Sequence, residues 1–435
     1  MASSWTRIHQ ELNLPPGPLT FGMVERATKE IDGERDDLDW KRALPKKPDA
    51  GLWSEFAKDV AAMANARGGL LVYGVRNDRA IEGVNPQDAP TEHLYKWLRA
   101  HTQPFVGGVD IFPLQCPDMT KSVLVVDVPA SAMAPHFVLG TSSRDKDQQA
   151  FAAPARFTDH TTWLSEHEIE RAYRDRFARQ EDASRALERH VTETSEAVLG
   201  EGDQTAAWLI VVSRPSRPLP LLAPDPQRHE ASAVMNAALS TAAKIRADFG
   251  GSSPMRDALT GGPRVGLRRW IDGNFLTPAG GLHLGRLAMV ELHHDGTVVY
   301  AVDVSRLARR QRVEVGPKIP VEMRVIQNGV CDAIALAHEV ARAQHLSSSS
   351  DLVGTIVCDN DPHKVGTAGR YPGFVAVLEQ HRGFLDVPKD CRCPVAIRQV
   401  PYELAPLAAI ADLQAAAQSL ASGLINQFGI ESHLT

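Results

Sequence analysis

Residues 56–78 read FAKDVAAMANARGGLLVYGVRND, and the pattern changes character twice within them. Trp53, Phe56, Val60, Met63 and Ala64 recur at i, i+3, i+4 spacing, which predicts a helix over 52–66. Arg67-Gly68-Gly69 ends it, as glycine does just past a helix C-terminus. Leu70–Val75 is almost wholly apolar, the signature of a strand buried on both faces. Arg76-Asn77-Asp78-Arg79 is a polar turn, after which Ile81–Val84 pairs back. A helix feeding a buried strand through paired glycines is an α/β arrangement.

The pattern extends in both directions. Upstream, residues 19–31 carry Phe21, Val24, Ala27 and Ile31 at helical spacing up to Gly33. Leu38-Asp39-Trp40-Lys41 alternates, so a short strand points Leu38 and Trp40 to one face and Asp39 and Lys41 to the other. Downstream come a helix over 91–101 and a hairpin of 109–114 with 121–128. Ser165-Glu166-His167-Glu168 has the form of a capping box opening a helix whose pattern continues to Gly200. The second half reads as strand 206–212, helix 231–249, a strand near 264–270 and a hairpin turning at Asp295-Gly296. Helix 329–344, buried strand 352–358 and an Ala/Leu-rich helix over 403–427 complete it. The expected fold class is α+β, with an N-terminal domain over 18–178, a helical linker over 179–203 and a second α/β domain over 204–435.

At 435 residues the chain is too long for one ordinary domain. With 43% hydrophobic and 23% charged residues it has a globular composition. A formal net charge of −6 excludes a global basic field, so any contact with nucleic acid needs a local cationic surface. The five cysteines are scattered, and Cys391-x-Cys393 lacks the second pair of a zinc site, so they read as buried thiols in a reducing compartment. The first residues lack the apolar segment of a secretory leader, and no apolar run reaches the ~20 residues of a membrane span. The expectation is a cytoplasmic protein without a membrane partner.

Glu34, Asp39 and Asp78 are the candidate acids. Glu34 and Asp39 are five positions apart, on opposite faces of a straight strand or about 140° apart on a helix. They converge only if the chain turns between them. Three converging carboxylates are what Mg²⁺ or Mn²⁺ requires, and such an ion activates water on a phosphodiester. The simpler alternative is surface acids, with Asp39 paired to Lys41. Lys41, Arg42, Lys46, Lys47, Arg67, Arg76, Arg79 and Arg156 supply local positive charge. Gly68-Gly69 follows a helix and precedes a strand, the reverse of a phosphate-cradling loop, and no G-x-x-x-x-G-K-[ST] sequence occurs. Asp359-Asn360-Asp361-Pro362-His363 and His293-His294 read as a polar loop and a hairpin tip.

Taken in order, DDLDWKRALP, FAKDVAAMANARGGLLVYGVRND and IEGV resemble the Schlafen-type AlbA-like (AlbA_2) domain. Glu34, Asp39, Trp40 and Lys41 fit that family's first block. Ala62, Met63, Ala64, Asn65, Gly68 and Gly69 fit the second, and Gly74, Val75, Ile81 and Gly83 the third. Val125–Pro129, Pro135-His136 and the arginine at 156 extend the resemblance over about residues 18–178. It implies an α+β fold and association with RNA or DNA. Some members are metal-dependent ribonucleases using three acids. By resemblance those fall on Glu34, Asp39 and either Asn77 by strict spacing or Asp78 after a one-residue shift. Lys41 would offset phosphate charge, and Arg42, Arg67, Arg76, Arg79 and Arg156 would face nucleic acid. The competing expectation is a non-enzymatic transcriptional regulator binding nucleic acid or ATP, with the linker helix or second domain as the place where copies would associate.

Overall fold

The alternation of Leu38–Lys41 is realised in the computed structural model. It describes residues 5–31, 37–48, 54–141, 149–157, 160–200, 206–220, 223–246, 251–259, 261–276, 286–346, 348–359, 373–379, 384–389, 391–406 and 408–431. The chain divides into two compact units, residues 1–184 with 222–224 and residues 185–221 with 225–435. Both combine helices with sheets, as an α+β fold requires.

The first unit runs α1 (Arg7–Glu11), α2 (Phe21–Glu30), β1 (Leu38–Lys41), α3 (Glu55–Asn65), β2 (Gly68–Tyr73), α4 (Thr91–His101), β3 (Thr102–Gln103), β4 (Asp110–Gln115) and β5 (Ser122–Pro129). Next come β6 (Phe137–Thr141), β7 (Gln149–Ala152), β8 (Pro154–Phe157), β9 (His160–Trp163) and α5 (Glu166–Gly200), whose first part belongs here. The central sheet has the order β1-β2-β5-β4, with β1 parallel to β2 and the other pairs antiparallel. Leu38, Trp40, Leu70, Val72, Val123 and Val125 pack with α1 and α2 on one face. Leu71, Tyr73, Leu124 and Val126 pack with α3 and α4 on the other. Apolar material on both faces explains why β2 reads as a continuous apolar run rather than an alternating one.

Three of the short signals in this half turn out to be fold devices. Gly68 and Gly69 have φ of 75° and 150°, and β2 already starts at Gly68. A Cβ on Gly68 would lie 2.4 Å from Ala130 N, and one on Gly69 would lie 2.5 Å from Asp37 O. The pair lets the start of β2 be gripped by backbone on both sides. Asn65 is a cross-brace, donating to His136 O (2.8 Å) and Pro154 O (2.7 Å) while accepting from His136 N (2.6 Å). At the start of α5, Glu168 accepts from Ser165 N–H (2.8 Å), but the Ser165 hydroxyl donates to the same carboxylate (2.6 Å) instead of capping an amide.

The second unit takes the end of α5, then β10 (Trp208–Pro215), α6 (Arg228–Ile245), α7 (Met255–Ala258), β11 (Arg264–Gly266), β12 (Arg269–Gly273), β13 (Ala288–His293) and β14 (Val298–Asp303). It closes with α8 (Arg306–Arg310), β15 (Ile319–Glu322), α9 (Met323–Ala343), β16 (Ser350–Val357), β17 (Phe374–Glu379), β18 (Leu385–Asp386), β19 (Val400–Leu404) and α10 (Ile410–Ile425). A seven-stranded antiparallel sheet, β11-β12-β13-β14-β10-β16-β19, carries α6, α9 and α10 on one face. Val191 and Val198 of α5 cover Trp208, Ile210 and Val212 on the other. The Asp295-Gly296 turn forms as expected, with Gly296 at φ 94°.

The single strand expected near 264–270 is instead the hairpin of β11 and β12, and two further expectations need correction. The helix predicted over 403–427 begins only at Ile410, because residues 400–404 pair with β16 and Pro406 lacks the N–H a helix would need. The five thiols are not uniformly buried: Cys331 and Cys358 are, whereas Cys116, Cys391 and Cys393 are half-buried. Asn360–His363 lie outside the described residues.

Candidate nucleic-acid interface

β1 sends Asp39 and Lys41 to the face that α3 covers. Asp39 is 1% exposed, and its Oδ2 accepts from Arg156 Nη1 (3.1 Å) and pairs with Lys41 Nζ (3.1 Å). Lys41 also reaches Asp59 Oδ2 on α3 at 3.3 Å, so one ammonium bridges two carboxylates. Lys58 lies 3.7 Å from the other oxygen of Asp59. Tyr73, the register partner of Lys41, completes the cluster. Burial pushes the Asp59 carboxyl up, and Lys41 and Lys58 only partly offset it. Burial alone would pull Lys41 down, but Asp59 and Asp39 together hold it above its ordinary value. The Tyr73 phenol is pushed well above its usual range, first by burial and then by Asp59 and Asp39.

Arg156, expected on a surface facing nucleic acid, is instead buried on β8 with its guanidinium turned to Asp39. The expectation failed because the strand position that carries Arg156 faces inward, where a charge is tolerated only with a partner. Asp59 and Tyr73 are the cluster members that the sequence pattern missed. The available signal was the charged pair Lys58-Asp59 within the otherwise apolar stretch Phe56–Ala64.

Asp78 is placed elsewhere. It is exposed in the turn after β2, where Oδ1 accepts from Ala80 N (3.1 Å) and Oδ2 from Arg76 Nη2 (2.7 Å). Beside it Arg42 makes a two-pronged bond to Glu82 (2.8 and 3.3 Å). That bond pulls the Glu82 carboxyl down, with Arg42 and Arg76 adding charge attraction against repulsion from Asp78. Arg79, at φ 66°, donates to Ile31 O, and Asn77 is exposed in the same turn. Arg67 is exposed at the opposite end of β2, just before Gly68.

The parallel pairing of β1 with β2 decides what meets at this end of the sheet. Gly74 N and Val75 N both donate to Lys41 O (2.7 and 3.1 Å), so the segments leaving the two strands start side by side. Arg42, Lys46, Lys47 and Arg76 are all exposed on those segments, with Lys121 anchored to Ile81 O at 2.8 Å. Lys46, Lys47 and Arg67 make no ion pair among the described residues.

The described donors do not by themselves fit a hard divalent cation, which takes carboxylate oxygens not already committed to cations. Asp39 is committed to Arg156 and Lys41, and Asp78 to Arg76 and its own turn. No group of three or more His, Cys, Asp or Glu side chains is placed to hold a metal ion among the described residues, and Glu34 lies outside them. No described helix is long and apolar enough to cross a membrane.

Residues 34–152 match the family described as "Schlafen, AlbA_2", so the chain contains a domain of that kind. The match takes in the three motif blocks and stops short of Arg156 and α5. No curated protein matches the chain. A crystal structure of the DIP2311 protein from Corynebacterium diphtheriae is similar at 16% identity over 54% of this chain and 35% of that one. The TM-score between the two is 0.22.

Proposed function

We propose that the Schlafen AlbA_2 domain of this protein binds RNA or DNA through the exposed end of the β1–β2 pair. The match to that family supports association with nucleic acid. The observation that carries the reading is that Arg42 and Arg76 are exposed where two adjacent parallel strands end, with Lys46 and Lys47 exposed on the segment that leaves β1. Phosphate contacts position a protein on nucleic acid, and flexible exposed cations supply most of the affinity. Asp78 and Glu82 hold Arg76 and Arg42 in place until phosphates replace them, and both pairs are exposed, so exchanging them costs little. In this reading the Asp39–Lys41–Asp59–Arg156 cluster is the foundation that fixes β1 against α3.

The test is a fluorescence-anisotropy titration of labelled single-stranded RNA and DNA. Wild type binds, and Lys46→Glu/Lys47→Glu binds at least tenfold more weakly, because each reversed charge removes a phosphate contact and adds repulsion. Failure of the wild type to bind either polymer overturns the proposal. Hydrolysis, which the resemblance implies with Glu34, Asp39 and Asp78 around Mg²⁺ or Mn²⁺, is less well supported, because Asp39 is buried against Arg156 and Lys41 while Asp78 is exposed in the turn after β2. Cleavage of the bound strand in Mn²⁺ that disappears in Glu34→Ala would add hydrolysis to binding.

A further inference from the structure

In the second unit, residues 391–394 are held on both sides. Arg392 N donates to Phe428 O (2.7 Å), and Pro394 O accepts from Phe374 N (2.8 Å). Ile319 N donates to Gly373 O (3.0 Å), which ties the residue after Lys318 to the same spot. Lys318 Nζ consequently sits 3.0 Å from Cys393 Sγ. Among the described residues, Cys116, Cys331 and Cys391 have no lysine or arginine hydrogen-bonded to their sulfur.

We propose that Cys391 and Cys393 form a dithiol that a peroxide oxidises to an intramolecular disulfide, with Cys393 attacking first under the influence of Lys318. This site is independent of the nucleic-acid reading. Reactive thiols sit in electropositive, partly exposed surroundings, and both cysteines are half-buried. The remaining thiols are poorly placed. Burial pushes Cys331 up to about 12 and Cys358 up to about 11, and a hydrogen bond with Asp118 raises Cys116. Cys391 is raised by burial and by neighbouring Cys393, which suits it to resolve rather than to attack. Lys318 is raised by its bond to Cys393, so it stays an ammonium.

In the first step the Cys393 thiolate attacks a peroxide oxygen. An S–O bond forms, the O–O bond breaks, and the departing alkoxide or hydroxide takes a proton from solvent. In the second step Cys391 loses its proton to solvent and attacks the sulfenic sulfur. The S–S bond forms, the S–O bond breaks, and the hydroxide leaves as water after protonation. The dithiol gives up two electrons and the peroxide accepts them.

The test uses the full chain, reduced, freed of reductant and treated with one equivalent of hydrogen peroxide. The expected product has lost two hydrogens. Trypsin, which cuts after Arg392, leaves residues 390–392 joined to 393–398 until a reductant is added. Lys318→Met slows the reaction by about tenfold without changing the thiol count, as loss of an activating cation does. Cys391→Ser stops at a Cys393 sulfenic acid that a 1,3-diketone captures. The proposal is overturned if the two peptides separate after oxidation, if Cys116 reacts first, or if Lys318→Met oxidises at the wild-type rate.

Discussion

Asp39 and Asp78 carry the same side chain and are candidates, by resemblance, for the same triad of acids, yet the fold gives them opposite circumstances. Asp39 has 2% of its side chain exposed and two cations on one oxygen. Asp78 has 54% exposed and lies in a turn that water can reach. The difference comes from the strand ends: β1 turns Asp39 beneath α3, whereas β2 runs out before it reaches Asp78. An ion pair under a helix is bound to the stability of the fold, and one at a strand end is available for exchange with a ligand.

The sharpest contrast should appear in stability. Asp39→Ala leaves the Arg156 guanidinium buried without its acid and should cost about 3–5 kcal/mol in denaturant unfolding. Asp78→Ala removes an exposed pair and a turn bond and should cost under about 1 kcal/mol. Equal losses would mean that burial does not separate the two acids. In a double-mutant cycle, Asp39→Ala and Arg156→Ala should be non-additive, since the two side chains share one buried contact.

A smaller effect concerns pH. The folded state raises the Asp59 carboxyl above its unfolded value, so in the window just above the ordinary aspartate range the folded chain binds more protons than the unfolded one. Asp59 therefore contributes most at low pH, and its contribution falls as pH rises through the raised value. Asp59→Asn should flatten that part of the stability profile, and an unchanged slope would assign it to other groups. The smallest effect is in binding: Asp78→Ala removes a negative charge from the proposed interface and should tighten nucleic acid by a few-fold at low salt.

Much of this contrast could be read in the chain, and the rest depends on distance along it. The two-residue alternation placed Leu38 and Trp40 opposite Asp39 and Lys41, and the paired glycines marked the turn from α3 into β2. Helical periodicity gave α2, α3 and α4 within a few residues. Local pattern could not reveal that Arg156 would meet Asp39, because that contact depends on how β8 packs against α3. Nor could it show that Lys41 would be shared with Asp59, which needs β1 and α3 brought into contact. The helix misread over 403–409 has a related cause: alanine and leucine propensity is a weak signal beside the pairing of β19 with β16.

The most direct test of the central claim is the salt dependence of nucleic-acid affinity, measured for wild type and for Arg42→Ala/Lys46→Ala/Lys47→Ala/Arg76→Ala. Each phosphate contact on a single strand contributes about 0.7 to the slope of log affinity against log salt. The account predicts that the variant stays folded while its slope falls by about 3 through the loss of those four contacts. A folded variant with the wild-type slope would contradict it.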